Sequence, residues 1–204
     1  TKLTGNADQH ISCLGQNEFS GNYFNNDNIT SKLIADGDVN FRNIRVDLGS
    51  VVFELPKGAK LQHISSGDYF RNIILNGDSS ILLFSGGSYL QNAHLTDIII
   101  KGSLAIGDNN VVSHGLLTII DTLENFGSSS TLTIDGDLIN NGVIRNGIGN
   151  LLLNISGDIA NYGEWSNYKI TLNGNDVQHL SCAEGSAFSC MDFISENSRD
   201  KIVA

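Results

Sequence analysis

Proline, cysteine and positive charge are all scarce in this sequence. Its 204 residues include one proline, three cysteines and 12 lysines and arginines, against 22 aspartates and glutamates, so the net charge is -10. Binding to nucleic acid or to an anionic membrane surface needs cationic side chains near the phosphates, so this balance argues against both partners. No apolar run reaches the roughly 18 residues of a transmembrane helix, and we therefore expect no membrane insertion.

Asparagine and glycine are abundant instead. The chain has 24 asparagines and 22 glycines, and only 17% of its residues are charged. Asparagine and glycine have low helix propensity, whereas the Ile, Val, Thr and Phe found at many other positions favour strands. Hydrophobic residues make up 40% of the chain, enough to form a core. We predict an all-β fold, which excludes a helix bundle, a coiled coil and most Rossmann-type enzymes.

A short pattern recurs along the chain. The order apolar-x-apolar-x-Gly-Asp-apolar-x-Asn-x-Gly runs through residues 132–142 and again through residues 153–163, and a partial copy covers residues 117–127. Alternating apolar and polar residues are typical of half-buried strands, while Gly, Asp and Asn favour tight corners. Such a unit cannot bury its apolar face alone, but stacked copies form a continuous core. The sequence therefore predicts a β-solenoid of about eight to ten coils.

A longer repeat relates the two ends of the chain. Residues 3–28 match residues 172–197 at a constant offset of 169, including the motif Gln9-His10-Ile11-Ser12-Cys13 against Gln178-His179-Leu180-Ser181-Cys182. A third copy of the centre of this motif is Gln62-His63-Ile64-Ser65. Either the chain holds one large repeat and the start of the next, or it is a solenoid with related ends. Both alternatives suggest a tandem array or a rod whose copies stack end to end.

These motifs resemble a known group of proteins. Gly-Asn-x-x-Gln-x-Ile-Ser followed by Phe, alternating with Gly-Asp-Leu-x-Asn-x-Gly coils, is similar to the β-solenoid repeats of bacterial surface proteins. Adhesins of the filamentous haemagglutinin and autotransporter types are the best-known members. The resemblance covers nearly the whole chain and implies a right-handed parallel β-helix at an extracellular location. It implies no catalytic residue.

We divide the chain into a single β-solenoid domain at residues 1–182 and a tail at residues 183–204. The tail is more charged and lacks the coil pattern, so we interpret it as a cap, a linker or the start of a following repeat. Residues 1–5 lack the apolar core of a signal peptide, so we expect the sequence to begin inside a longer or processed chain. Our functional hypothesis is a structural or adhesive segment that associates with itself through the solenoid ends.

Two further functions stay open as alternatives. The first is a module that binds glycans or a host surface, for which the best candidates are three aromatic residues close together in sequence, Tyr162, Trp165 and Tyr168. The second is a polysaccharide-degrading enzyme, because β-helix folds host such activities; it would need converging carboxylates, such as those near Arg42, Arg45 or Arg145. Since the common catalytic motifs are absent, we expect no enzyme and name no catalytic residue.

Calcium is the one cofactor that the pattern allows. The best candidate ligands are the carboxylates of Asp36 and Asp38 and those of Asp135 and Asp137, which flank single glycines. We favour turn capping for these aspartates, since the nonapeptide calcium-roll pattern is absent. The histidines at the shared motif position, His10, His63 and His179, should all point outward if the following apolar residue points inward.

The three cysteines form no Cys-x-x-Cys motif, which argues against a zinc ribbon and a thioredoxin-type site. In an extracellular setting, Cys182 and Cys190 are placed to form a local disulfide, leaving Cys13 unpaired. The alternative is three buried free thiols that act as small apolar residues.

Overall fold

The computed structural model describes residues 2–26, 31–108, 110–197 and 202–203. These residues form strands and turns without a helix. In chain order the strands are β1 (Lys2–Leu3), β2 (Gln9–Ile11), β3 (Phe19–Ser20), β4 (Tyr23–Asn26), β5 (Leu33–Ala35), β6 (Val39–Arg42), β7 (Arg45–Glu54), β8 (Lys60–Ile64), β9 (Tyr69–Ser85), β10 (Tyr89–Ile106), β11 (Val111–Ile119), β12 (Thr122–Asn125), β13 (Ser129–Asp135), β14 (Leu138–Asn140), β15 (Val143–Arg145), β16 (Asn150–Ile155), β17 (Ile159–Asn161), β18 (Glu164–Leu172), β19 (Gln178–Cys182), β20 (Ser189–Ser195) and β21 (Ile202–Val203).

All of the strand pairs are parallel and lie about one coil apart in sequence. They stack into a β-solenoid of about nine turns, which confirms the predicted fold class and its number of coils. Each turn contributes to three ladders, and the long strands β7, β9 and β10 pass around the corners from one ladder to the next. Ladder 1 runs from β2 to β20, ladder 2 from β3 to β21, and ladder 3 from β1 to the start of β20.

The core is a set of columns in which one side chain from each turn stacks on the next. Leu132 pairs with Leu153, and Leu153 pairs with Ile170. Towards the N-terminus the core becomes aromatic, and rings also meet across ladders 2 and 3, where the Phe41 ring lies 5.0 Å from that of Phe24 and 5.8 Å from that of Phe70. These side chains are almost completely buried, and burial of such apolar surface is the main favourable contribution to folding.

The Asn-x-Gly motif forms the corner between ladders 2 and 3. Asn140 and Asn161 point into the core, where the Asn140 Nδ2 donates to the Asn161 Oδ1 at 2.8 Å. Each Oδ1 also accepts the backbone N–H of the glycine two residues later. The buried amides are therefore satisfied by their own corner and by the neighbouring turn, as buried polar groups must be.

The Gly-Asp motif forms the corner between ladders 1 and 2. The Oδ1 of Asp137 accepts the N–H of Asp158 at 2.8 Å, and the Oδ1 of Asp158 accepts the N–H of His179 at the same distance. Each carboxylate thus caps the backbone of the following turn. Asp38 does the same for Lys60 N–H.

Beyond residue 182, the solenoid ladders continue. Strand β20 pairs with β18 through Ser189 and Cys190 and again through residues 192–195. Strand β21 pairs with Gln178 and His179 of β19. The described part of residues 183–204 therefore adds further rungs. Residues 198–201 and 204 of the tail lie outside the described residues.

Two glycines of the Gly-Asp motif allow a matched test of how closely the turns approach. Gly37 and Gly136 have similar positive φ values, 153° and 147°. A Cβ on Gly136 would lie 2.0 Å from the Gly115 carbonyl oxygen of the preceding turn, whereas a Cβ on Gly37 would meet nothing within 4 Å.

We predict that Gly37→Ala destabilises the protein by about 1–3 kcal/mol through backbone strain alone. Gly136→Ala should be distinctly more destabilising, because two turns must also move apart. Urea unfolding of both variants measures the difference, and equal losses would contradict the close-approach argument.

Candidate functional site

The first and last coils are two versions of one structural unit. In the first, the Gln9 Nε2 donates to the Thr4 carbonyl at 2.8 Å, and in the last the Gln178 Oε1 accepts the Gly174 N–H at 3.1 Å. In both, the glutamine side chain bonds back to the corner that precedes its strand. The following rung also corresponds, since Gln9 pairs with Leu33 and Gln178 with Ile202. The long sequence repeat is thus a repeat of local structure.

The two copies occupy different faces of the solenoid. Gln9 to Ile11 lie in ladder 1, whereas Gln178 to Cys182 lie in ladder 2. The 169-residue repeat is therefore not a whole number of turns, and each motif strand of the second copy lies one ladder further on than in the first. A second copy continuing this register would be rotated by one face about the solenoid axis.

The sequence agreement extends further than residues 3–28. Lys32-Leu33-Ile34-Ala35 is matched, at the same offset, by Lys201-Ile202-Val203-Ala204. Positions 27–30 of the first copy and positions 198–201 and 204 of the second lie outside the described residues. The segment that pairs with the motif strand is thus also repeated.

The corresponding apolar side chains differ in burial. Phe24 in the first coil is fully buried, because the next turn places Phe41 against it. Its counterpart Phe193 in the last coil is 44% exposed, and the nearby Met191 is 75% exposed. Strand β20 pairs with β18 on one side, and the structure describes no strand on its other side. This C-terminal surface, defined by Phe193, Met191 and the free edge of β20, is our candidate interaction site.

The candidate calcium ligands have other partners. Asp36 Oδ1 lies 2.7 Å from His10 Nδ1, and Asp38 bonds the backbone and lies 3.6 Å from Lys60 Nζ. Asp135 contacts a histidine and a serine of neighbouring turns, and Asp137 caps the next turn as described above. Among the described residues there is no group of three or more His, Cys, Asp or Glu side chains able to hold a metal ion.

The three aromatic candidates for glycan binding differ in how far their side chains are exposed. Tyr162 is 56% exposed and Tyr168 is half-buried, but Trp165 is only 4% exposed. The Trp165 ring packs edge-on against Phe188 at 5.0 Å, and its Nε1 donates to Asn167 Oδ1. Trp165 is therefore a core residue, and its ring is not available for stacking on a sugar.

A different aromatic row lies on the outer side of ladder 3. Tyr69 and Tyr89 are 6.5 Å apart, and the Tyr89 ring is stacked on Phe126 at 4.4 Å, with planes 3° apart. Arg71 covers Tyr69 at 4.4 Å. Sequence reasoning missed this row because its members are 20 or more residues apart, and only the ladder register brings them together.

The cysteines are free thiols in the structure. Cys182 is exposed, whereas Cys13 and Cys190 are partly buried and contact the hydrophobic core. Burial, together with the charge of Asp192, raises the pKa of the Cys190 thiol, which disfavours the reactive thiolate. Cys182 and Cys190 are not bonded to each other in this structure, and a disulfide between them stays a prediction.

The arginines considered for an enzyme site pair with other carboxylates. Arg42 contacts Glu18, Arg45 contacts Asp68, and Arg145 contacts Glu124. These pairs lie between neighbouring turns and join exposed arginines to half-buried carboxylates. None of these three partners is one of the candidate carboxylates, Asp36, Asp38, Asp135 and Asp137.

One of the three motif histidines does not point outward as predicted. His10 and His179 are exposed, but His63 is fully buried. In β8 the alternation is shifted by one residue, so that His63 occupies the inward column between Phe41 and Phe84, and Ile64 turns outward. A shift of one residue moves every side chain of a strand to the opposite face. The shared motif therefore does not determine which of its residues point into the core.

The comparisons with known proteins identify no relative, since no family model, curated protein or solved structure matches the chain. The described residues contain no helix that has the length and apolar character to span a membrane.

The buried His63 makes stability depend on pH. Burial lowers the pKa of His63 below its ordinary value of 6.5, and its hydrogen bond to the Ile44 carbonyl and the charge of Asp68 only partly oppose this. The unfolded chain therefore takes up a proton at this residue before the folded protein does. The stability that depends on neutral His63 is present above pH 6.5 and is lost as the pH falls through the lowered pKa.

We predict that His63→Phe reduces the loss of stability between pH 7.5 and pH 5, because the variant cannot take up this proton on unfolding. It should cost about 1–3 kcal/mol at neutral pH, since the Ile44 carbonyl loses its partner. Urea unfolding at several pH values measures both effects. His179→Ala, which removes an exposed imidazole, is the control for the loss of a histidine side chain. If the stability of His63→Phe depends on pH as that of the wild type does, His63 is not the cause of the pH dependence.

Proposed function

We propose that this chain is a structural or adhesive segment of an extracellular bacterial surface protein and that copies of it associate end to end. The observation that carries the proposal is the C-terminal surface, where Phe193 is exposed although its counterpart Phe24 is buried. The first coil gives the physical template for what covers such a surface. It is another β-solenoid turn, hydrogen-bonded in parallel and supplying an apolar side chain opposite the phenylalanine.

The free edge of β20 supports this role. Unpaired strand edges are strong sites for association with another chain, and natural proteins usually cover or charge them. Here the edge carries exposed apolar side chains, which favours pairing. About nine turns at about 4.8 Å per turn span roughly 45 Å, so each copy of this segment would add that length to a filament formed end to end.

The outer wall suits a rod that stays soluble while its ends associate. The chain has a net charge of -10, so rods that approach one another side by side repel each other. The resemblance to surface adhesins supports the extracellular location, and the loops at the corners are the parts that would meet a host surface.

We expect the purified chain to form linear particles as its concentration rises, seen by electron microscopy and by sedimentation under reducing conditions. Phe193→Glu should abolish them, because it places a charge in the apolar contact. Ile148→Glu is the matched control, since Ile148 is 78% exposed but lies between β15 and β16, away from the last coil.

Short monodisperse rods at every concentration would exclude self-assembly by this segment. Assembly that Ile148→Glu blocks as strongly as Phe193→Glu would show that association is lateral. The reductant removes intermolecular disulfides of Cys182 as a competing cause.

A second candidate function, glycan binding, is favoured by the aromatic row of ladder 3. An open groove of about 450 Å³ lies beside Phe126 and is lined by Glu124, Arg145 and Ile148. Aromatic rings with charged side chains nearby offer an apolar surface and hydrogen bonds to one ligand.

For this second function, we predict that a neutral polysaccharide slows the chain in affinity electrophoresis and that Phe126→Ala removes most of the effect. Tyr162→Ala is the control, because Tyr162 is exposed but does not belong to the row. Equal retardation of wild type and Phe126→Ala would reject the row as the binding surface.

A further inference from the structure

Two histidines that belong to no sequence motif meet on the outer side of ladder 1. His94 is on β10 and His114 on β11, the next turn, and His94 Nδ1 lies 3.3 Å from His114 Nε2. Their ring planes differ by 7° and their centroids are 5.6 Å apart. The rings therefore lie side by side and meet through these nitrogens. They are diagonal neighbours, since it is Thr96 that pairs with His114.

The next turns hold His114 in one orientation. His114 Nδ1 lies 3.3 Å from Asp135 Oδ2, and Ser156 Oγ donates to Asp135 Oδ1 at the same distance. A carboxylate only accepts hydrogen bonds, so Nδ1 of His114 carries the hydrogen. The lone pair of Nε2 then faces His94.

The separation of the two nitrogens is that of a transition-metal ligand pair, and because the rings now face each other along one N–H···N hydrogen bond, both must tilt before their lone pairs meet one ion. Nitrogen ligands lie about 2.0–2.1 Å from Zn²⁺ in a tetrahedral site, which places two of them about 3.3 Å apart. A histidine that binds a metal almost always donates its other ring N–H to a carboxylate or carbonyl, as His114 does to Asp135. Imidazole nitrogen is a preferred ligand of Zn²⁺ and Cu²⁺.

We propose that His94 Nδ1 and His114 Nε2 bind one divalent transition-metal ion, with Asp135 positioning His114. When the metal binds, the hydrogen of His94 moves to its Nε2, and both facing nitrogens donate their lone pairs to the ion. Water completes the coordination, so the site keeps open positions. The site is built across three turns and exists only in the stacked solenoid. It is independent of the proposed end-to-end association.

Calorimetric titration of the folded full-length chain with Zn²⁺ tests the proposal. We expect one ion per chain, loss of this binding in His94→Ala and in His114→Ala, and about 10–100-fold weaker binding in Asp135→Asn. His10→Ala is the matched control, because His10 is exposed and paired with Asp36 but has no second imidazole. All of these variants retain the three cysteines, so any thiol binding is common to them.

Electron paramagnetic resonance of the Cu²⁺ form gives a readout independent of stability. It should show two nitrogen ligands in the wild type and in Asp135→Asn, and at most one in each histidine variant. Binding that persists unchanged in His94→Ala or His114→Ala would overturn the site. Wild-type affinity in Asp135→Asn would overturn the positioning role of the carboxylate.

Discussion

Parallel pairing between successive turns is the interaction on which this whole structure depends. A single turn has strands too short to be stable and an apolar face that it cannot cover. Its backbone donors and acceptors are satisfied by the turn before it and the turn after it, and its core side chains pack on their counterparts one period away. Stability is therefore shared among neighbours, and each turn is only as stable as the contacts on both of its sides.

This dependence explains the polar residues of the corners. Asp137 and Asp158 use their side chains to bond the backbone of the following turn, and Asn140 and Asn161 bond both their own corner and one another. Asp137 is also one of the candidate calcium ligands named from the sequence. In the solenoid these corner side chains are the means by which irregular backbone remains hydrogen-bonded next to the core.

The same dependence leaves two kinds of surface for contacts with other molecules, the uncovered strand edge of the last described coil and the outer side of the ladders. Among the described residues, an apolar side chain and one strand edge of the last coil are uncovered, and the repeated counterpart of this coil shows how such a coil is covered elsewhere in the chain. On the outer ladders, residues from separate turns are brought to a fixed spacing. His94, His114 and Asp135 form one row there, and Tyr69, Tyr89 and Phe126 form another.

The sequence by itself determined the all-β class, the stacked coils and their number, and the use of Gly-Asp and Asn-x-Gly at corners, because these follow from local periodicity and turn chemistry. It also showed that the two ends are related. Only the tertiary structure decided which side of a strand each residue faces at places where the alternation of inward and outward side chains is interrupted. His63 became a core residue because the alternation in its strand is shifted by one residue, which reverses the strand and has no local sequence signal. Trp165 became a core residue because the stacking of turns pairs it with the buried Ile144. The two rows on the outer wall were likewise decided by register, because their members are about one coil or more apart and become neighbours only when the turns stack.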